Sequence, residues 1–462
     1  MLVEQLYTNC LAQGAYYIES NGEAAVIDPL RETNQYVELA IKRNAKIKYV
    51  LETHFHADFV SGHIDLAEKT GAKIVYGPNA EPNFEIYQAK DEEILSLGDL
   101  QIKVLHTPGH TMESTSYLLM DKEGNQHAVF TGDTLFIGDV GRPDLAQNGT
   151  ITQEDLASYL FDSLRNKIMT LDDNVIVYPG HGAGSACGKK MSDETQSTIA
   201  LQKKMNYALQ DISREQFIKE VTDGLTPPPS YFPDNVRLNK EGYNNFDEVL
   251  EKAKNPLLKS DIDNLINDDS KTIILDVRYP KDYAKKHILN SIHIGLDGSF
   301  APWVGALIRN VHTPIIILSN QDRLEEAITR LARVGFDNIL GFVDGGIHKW
   351  EEQGGDVESQ LQISAEEFGE IYNENLDIID VRKPSEFAIN RIPNAKNYPL
   401  DYIHDNYKDM PKDKHLYLHC LGGYRGTIAS SILRNYGFKD ITVIYDDFQN
   451  IYNATQLKNE LV

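Results

Sequence analysis

Along residues 1 to roughly 225, short apolar runs (AYYIES, EAAVIDP, IKYVLETH, KIVYGP, QIKVLHTP, STSYLLM, HAVFTGD and NVIVYPGH) alternate with helical text such as NQYVELAIKR and IDLAEKTG. Short windows rich in β-branched and aromatic residues predict strands, and the longer amphipathic stretches between them predict helices. The alternation predicts a layered α/β domain. Several of the runs end directly in a polar residue, namely His54, His110, Asp133 and His181. Strand ends open into loops, so this pattern puts candidate functional side chains where loops converge.

After Leu225 the text changes to TPPPSYFPDNVRLNKEGY. Prolines remove backbone donors and favour an extended path, so residues 226–255 read as a linker or an arm draped over the first domain. Beyond it the apolar strands repeat. IILDVR closes at Arg278 and IIDVR at Arg382, 104 residues apart, and HILNSIHI resembles RIPNAKNY at the same offset. The helix ends RVGF and NYGF follow 102 residues apart. Two copies of one fold are therefore expected, at 256–358 and 359–462, each with central strands (IIILS, LYLHC) of the kind found in a mostly parallel sheet covered by helices.

A chain of 462 residues exceeds one ordinary core, in keeping with several domains. Its 41% hydrophobic and 25% charged residues are those of a globular protein, and no run reaches the apolar length of a membrane helix. The amino end lacks the basic, apolar and small-residue segments of a secretion signal, so the expected location is the cytoplasm. Cys10, Cys187 and Cys420 are too few and too scattered for a disulfide framework. Cys10, in an apparent terminal strand, reads as packing. The formal charge of −24 repels phosphate backbones, and no basic stripe offsets it, which argues against a nucleic-acid partner.

The segment THFHADFVSGH carries His54, His56 and Asp58 at alternate positions just after YVLE, and a turn there points several side chains into one cavity. Such histidines are also common as hydrogen-bonded core residues. TPGHT adds His110, TGDTLF adds Asp133 and YPGHG adds His181, each after an apolar strand and each beside residues suited to a tight loop. The set of six is a metal-ligand pattern. In order and context it resembles the metallo-β-lactamase superfamily, whose motif is H-x-H-x-D-H followed by further His, Asp and His ligands. The resemblance implies an αββα sandwich across the first half. Two-zinc members such as glyoxalase II thioesterases use the histidine after the aspartate as a ligand of the second zinc, and here that position is Phe59.

The domain is similar in particular to the persulfide dioxygenase branch. That similarity implies one Fe(II) per chain on His54, His110 and Asp133, with His56, Asp58 and His181 as supporting groups or alternative ligands. Two imidazoles and one carboxylate leave three adjacent iron positions open for a sulfur anion and dioxygen. Arg142, in GDVGRPDLAQ, either pairs with Asp144 or contacts an anionic substrate, and the structural role is the expectation. Cys187, six residues after His181, is a core thiol or a thiol relay at the pocket rim.

In the last repeat, LYLHC ends in Cys420, and LGGYRG then leads into the helical run TIASSILRNYG. Backbone N–H groups at a helix start stabilise a thiolate or a persulfide, the glycines permit the turn, and Arg425 adds fixed charge and pins the loop. The alternative is a buried cysteine at a strand end. The repeat and this C-x-x-G-x-R loop resemble the rhodanese (sulfurtransferase) family, with DVR at Asp380 to Arg382 and again at Asp276 to Arg278. Alignment of the earlier copy on Arg323 puts Ser319 near the cysteine position, so that copy keeps the fold, including its GGIHKW ending, without the thiol.

Together the two resemblances imply an enzyme that oxidises a small-molecule thiol persulfide with dioxygen to sulfite and passes sulfur through Cys420 to form thiosulfate in sulfide detoxification. They also imply a homo-oligomer. The competing readings are a zinc-dependent glyoxalase II-like thioesterase fused to a rhodanese, and a sulfur-trafficking scaffold with a degenerate metal site.

Overall fold

The computed structural model describes residues 1–147 and 149–460. It divides into two compact units, Met1–Phe246 with Ala332–Gly335, and Asp247–Leu331 with the chain from Phe336 onward. Among the described residues no helix is long and apolar enough to cross a membrane.

In the first unit, one sheet runs in sequence order through β1 (Leu2–Thr8), β2 (Gln13–Ser20), β3 (Glu23–Ile27), β4 (Lys46–Leu51), β5 (Lys73–Tyr76) and β6 (Tyr87–Gln88). A second holds β7 (Ile94–Leu97), β8 (Leu100–His106), β9 (Thr115–Asp121), β10 (Gln126–Gly132), β11 (Ile176–Pro179) and β12 (Ser197–Thr198). Cys10 lies in the turn after β1 rather than in a strand.

Alternate residues of β2 show how the layers form. Tyr16 and Ile18 join Ile102, Val104, Leu119 and Phe130 of the other sheet in one buried cluster, whereas Ala15 and Tyr17 pack with Tyr36 and Ala40 of the helix Asn34–Arg43. On the far side, Leu118, Val129 and Val177 meet Leu160 of the helix Gln153–Ser163 and Phe217 of the helix Arg214–Thr222. The result is the αββα sandwich. Central strands buried on both faces carry no polar alternation, hence the continuous apolar text.

Residues 226–246 depart from the extended path expected of proline-rich text, because Phe232–Glu241 is a helix with Pro233 in its first turn. A proline costs nothing there, since first-turn N–H groups have no intrahelical acceptor.

The second unit holds two all-parallel five-stranded sheets. The first uses β13 (Pro256–Leu257), β14 (Ile273–Asp276), β16 (Ile292–His293), β17 (Ile315–Leu318) and β18 (Ile339–Val343) in the order β13-β18-β17-β14-β16, while β15 (His287–Ile288) and β19 (Val357–Glu358) pair separately. The second, in the order β20-β24-β23-β21-β22, uses β20 (Leu361–Ile363), β21 (Asp377–Asp380), β22 (Lys396–Asn397), β23 (Leu416–His419) and β24 (Ile441–Ile444). Asp276 pairs with Leu318 as Asp380 pairs with His419. Ser319 is therefore the structural counterpart of Cys420. In each copy the arginine of the DVR triplet makes a buried two-point contact with its aspartate and donates to a carbonyl eight residues on, Lys286 for Arg278 and Asn390 for Arg382.

Candidate metal centre and thiol loop

The first unit brings His54, His110 and Asp133 together from the loops after β4, β8 and β10, with their donor atoms all within 4.8 Å of one another and all three side chains buried. His110 Nε2 lies 3.4 Å and His54 Nε2 3.8 Å from Asp133 Oδ2. The far nitrogens fix the tautomers. His110 Nδ1 is 2.9 Å from the Arg142 carbonyl, an acceptor only, so this nitrogen carries the proton. Thr53 Oγ1 donates to Asp28 and therefore accepts from His54 Nδ1 at 3.0 Å. Both Nε2 atoms are thus bare lone pairs facing a carboxylate oxygen that, though buried, has no hydrogen-bond partner. Three converging acceptors repel one another unless a cation lies among them, and two imidazoles with one carboxylate suit a divalent transition metal.

Asp133 is itself held. His181, after β11, donates from Nδ1 to Asp133 Oδ1 at 2.8 Å, and its Nε2 lies 2.8 Å from Asp58 Oδ2. A Cβ on Gly180 would sit 2.7 Å from Asp133 Oδ1, so only glycine lets this strand end approach. Burial disfavours a charged His181, but the two carboxylates outweigh it and hold the imidazole well above the usual histidine range. Burial likewise pushes the Asp133 carboxyl up, and the charge and hydrogen bond of His181 more than reverse this.

His56 turns away from this trio. Its Nε2 is 3.1 Å from Asp28 Oδ1 and 3.6 Å from Glu52 Oε2, and its ring centroid lies 4.3 Å from that of the fully buried Phe59. Cys187 groups with Asp58 and His181 and is buried. Burial first, then the charges of Asp58 and Asp133, push its thiol up, which keeps it protonated. The Arg142 guanidinium makes two bonds to Asp144 and also reaches the Ala186 and Thr226 carbonyls.

Asp28, Glu52 and Thr53 were not singled out from the sequence, although AVIDP and YVLET also end apolar runs in acids. Asn239 carried no signal. It comes from the helix Phe232–Glu241, donates to the His56 and Phe59 carbonyls and accepts from Ser61 N–H, clamping the H-x-H-x-D-F loop. A cleft of about 250 Å³ opens beside His110, walled by Phe55, Met112, Leu145 and Val236, with Glu113 and Lys240 as its charged groups.

In the second unit Cys420 follows β23, is 1% exposed, and accepts the Gly423 N–H at 3.1 Å through Sγ. Gly423 has φ +86°, and a Cβ there would meet the Tyr445 ring at 2.3 Å, so the position demands glycine. The helix Tyr424–Asn435 starts immediately after, directing its positive end toward the sulfur. Arg425 makes a two-point ion pair with Glu386 at 2.7 and 2.8 Å, a partner invisible from the loop's own text. In the other copy Arg323 instead binds Glu326 and Asp297.

Residues 9–181 match the model of the metallo-beta-lactamase superfamily, and 258–353 and 364–454 match the rhodanese-like domain. The mitochondrial persulfide dioxygenase ETHE1 of Mus musculus is 30% identical over 208 residues, covering 45% of this chain and 73% of that protein. The chain belongs to the metallo-beta-lactamase superfamily. Its metallo-beta-lactamase domain is equally similar to hydrolases: the cytoplasmic hydroxyacylglutathione hydrolase of Arabidopsis thaliana is 36% identical over 177 residues, 37% of this chain. The chain spans 65% of that hydrolase's length. Among solved structures, a metallo-beta-lactamase from Staphylococcus aureus subsp. aureus COL is similar with a TM-score of 0.66 and 29% identity, over 74% of this chain and 98% of that one.

Proposed function

We propose that the metallo-beta-lactamase domain is a persulfide dioxygenase holding one Fe(II) per chain on His54, His110 and Asp133, and that the last rhodanese-like domain is a sulfurtransferase acting through Cys420. The observation that carries the first half is the convergence of two bare imidazole nitrogens on the unpartnered Asp133 Oδ2. Phe59 supports a single metal, since it offers no donor where two-zinc relatives need one. Fe(II) held by His54, His110 and Asp133 would supply the redox chemistry by which dioxygen oxidises a sulfur anion.

The protein's own residues do the rest. Thr53 and the Arg142 carbonyl keep the two imidazoles in the ligating tautomer, and His181 holds Asp133 by one oxygen so that the other stays free. The cleft beside His110 receives the thiol carrier. Overall, RSSH, dioxygen and water give RSH, sulfite and two protons. At the second site a Cys420 persulfide is attacked by sulfite at its outer sulfur. The S–S bond breaks, thiosulfate departs, and the thiolate is received by the Gly423 N–H and the helix start.

The similarity to hydroxyacylglutathione hydrolases supports a second reading, a zinc thioesterase fused to a rhodanese. Metal analysis of protein made without added metal, combined with oxygen uptake on a glutathione persulfide, separates the two. One iron per chain and oxygen consumption are expected; bound zinc with thioester hydrolysis and no oxygen uptake overturns the proposal.

A further inference from the structure

The cysteine-less rhodanese-like copy has no thiol at Ser319, yet its segment Gly295–Ser299 touches the other copy's active loop. Tyr424, the first residue of the helix that follows Cys420, donates its hydroxyl to the Gly295 carbonyl at 2.7 Å. Its ring lies so close to Gly298 that a Cβ there would stand 2.6 Å from Cζ and 2.9 Å from both Cε atoms. Tyr424 sits between Gly423, whose N–H binds the Cys420 sulfur, and Arg425, which binds Glu386.

The seat under Tyr424 is itself fixed. Leu296 N–H binds the Val277 carbonyl at the end of the DVR strand, Arg330 reaches the Leu296 carbonyl at 2.7 Å, and Arg323 reaches Asp297 at 2.8 Å. Arg323 belongs to the copy's own degenerate loop. The equivalent arginine of the other copy, Arg425, ties its loop down through Glu386; Arg323 ties down the seat for its neighbour. Farther along the helix Tyr424–Asn435, Ser431 accepts the His293 N–H, Arg434 pairs with Glu358 and Asn435 donates to the Asn290 carbonyl, so with Tyr424 the helix is held at four places.

We infer that the cysteine-less copy is a brace for the sulfur-carrying loop, with Tyr424, Gly298 and Arg323 as positioning residues that set the place of the Gly423 N–H against Cys420. The inference rests on the reading of Cys420 as the sulfur carrier, but its test does not share that reading's fate. If Cys420→Ser leaves sulfur transfer intact, the sulfurtransferase reading fails, while the alkylation rate of Cys420 still reports on the brace.

The test uses the full chain carrying Tyr424→Phe, Gly298→Ala or Arg323→Gln. Iodoacetamide alkylation is followed across pH and quantified at the Cys420 peptide, beside thiosulfate formation and thermal unfolding. Tyr424→Phe and Gly298→Ala are expected to slow both Cys420 alkylation at neutral pH and sulfur transfer by roughly three- to tenfold, the order expected when a small displacement reaches a reacting group. Arg323→Gln, one step removed, should do less. In a Tyr424→Leu background, which frees the space, Gly298→Ala should add nothing, the non-additivity of residues in contact. Tyr424→Phe deletes only a hydroxyl, so it keeps the test open if Gly298→Ala does not fold. Folded variants with parent alkylation and transfer rates, or additive effects of Gly298→Ala and Tyr424→Leu, overturn the inference.

Discussion

The two rhodanese-like domains share a sheet order, an apolar core and a buried aspartate–arginine pair, and they part company in the few residues after one strand. After His419 come a thiol, two glycines and an arginine; after Leu318 come Ser319 and a loop without glycine. The fold is thus maintained by positions outside the loop, and the thiol is carried by a loop that the fold does not need. The largest effect follows directly. Cys420→Ser should lower thiosulfate formation by roughly a thousandfold or more, the scale for loss of a nucleophile, while sulfite formation and oxygen uptake continue. An oxygen electrode and ion chromatography on one sample check this, and surviving thiosulfate formation would remove the distinction between the copies.

What the copies share should respond alike in both. Asp276→Ala or Asp380→Ala leaves a buried arginine without its charge partner, Arg278 or Arg382. Stranding a buried charge costs about 3–5 kcal/mol. Urea titrations should show a comparable loss for either variant; a loss confined to the Cys420 copy would mean that the pair serves the thiol loop rather than the fold.

This division also explains what was legible in the text. The repeat was, because both copies make the same buried aspartate–arginine pair at the end of the corresponding strand. The four polar strand ends, His54, His110, Asp133 and His181, were, because apolar strands make the polar residue that follows them conspicuous. The orientation of His56 toward Asp28 and Glu52 was not, since nothing in alternate spacing tells which way a ring turns. Nor were Asn239 and Glu386, whose partners His56 and Arg425 lie 183 and 39 residues away. The helix at Phe232–Glu241 was hidden by prolines that block a helix interior but not its first turn.

Each copy also buries a histidine beside its aspartate, His293 and His419, and burial holds both down at about 4, against 6.5 for the free side chain. Between these values the unfolded chain binds protons that the folded chain does not, so stability rises with pH through the window and is lost as pH falls below 6.5. The cost by pH 5 is roughly 2 kcal/mol per histidine. Urea midpoints at pH 7 and pH 5 should converge in His293→Gln and His419→Gln chains relative to the parent. The two histidines occupy different places, His293 where the Cys420 copy has Asn397 and His419 where the other copy has Leu318, so if only one substitution flattens the dependence, the other histidine is not held neutral by its core.

The smallest expected effect is the sharpest test of the comparison. Ser319→Cys restores a thiol at the structural counterpart of Cys420, in a chain where Cys420 is serine. The new sulfur would follow the same strand, beside the same aspartate–arginine pair. It would lack a glycine at positive φ to turn an N–H toward it, and the loop's arginine is committed to Glu326 and Asp297. With the thiol present but its surroundings unformed, thiosulfate production should stay below about 1% of the parent, as for a nucleophile held out of reach. Production well above that level would mean that a thiol at this strand end suffices, and that the glycine loop of the Cys420 copy supports stability more than transfer.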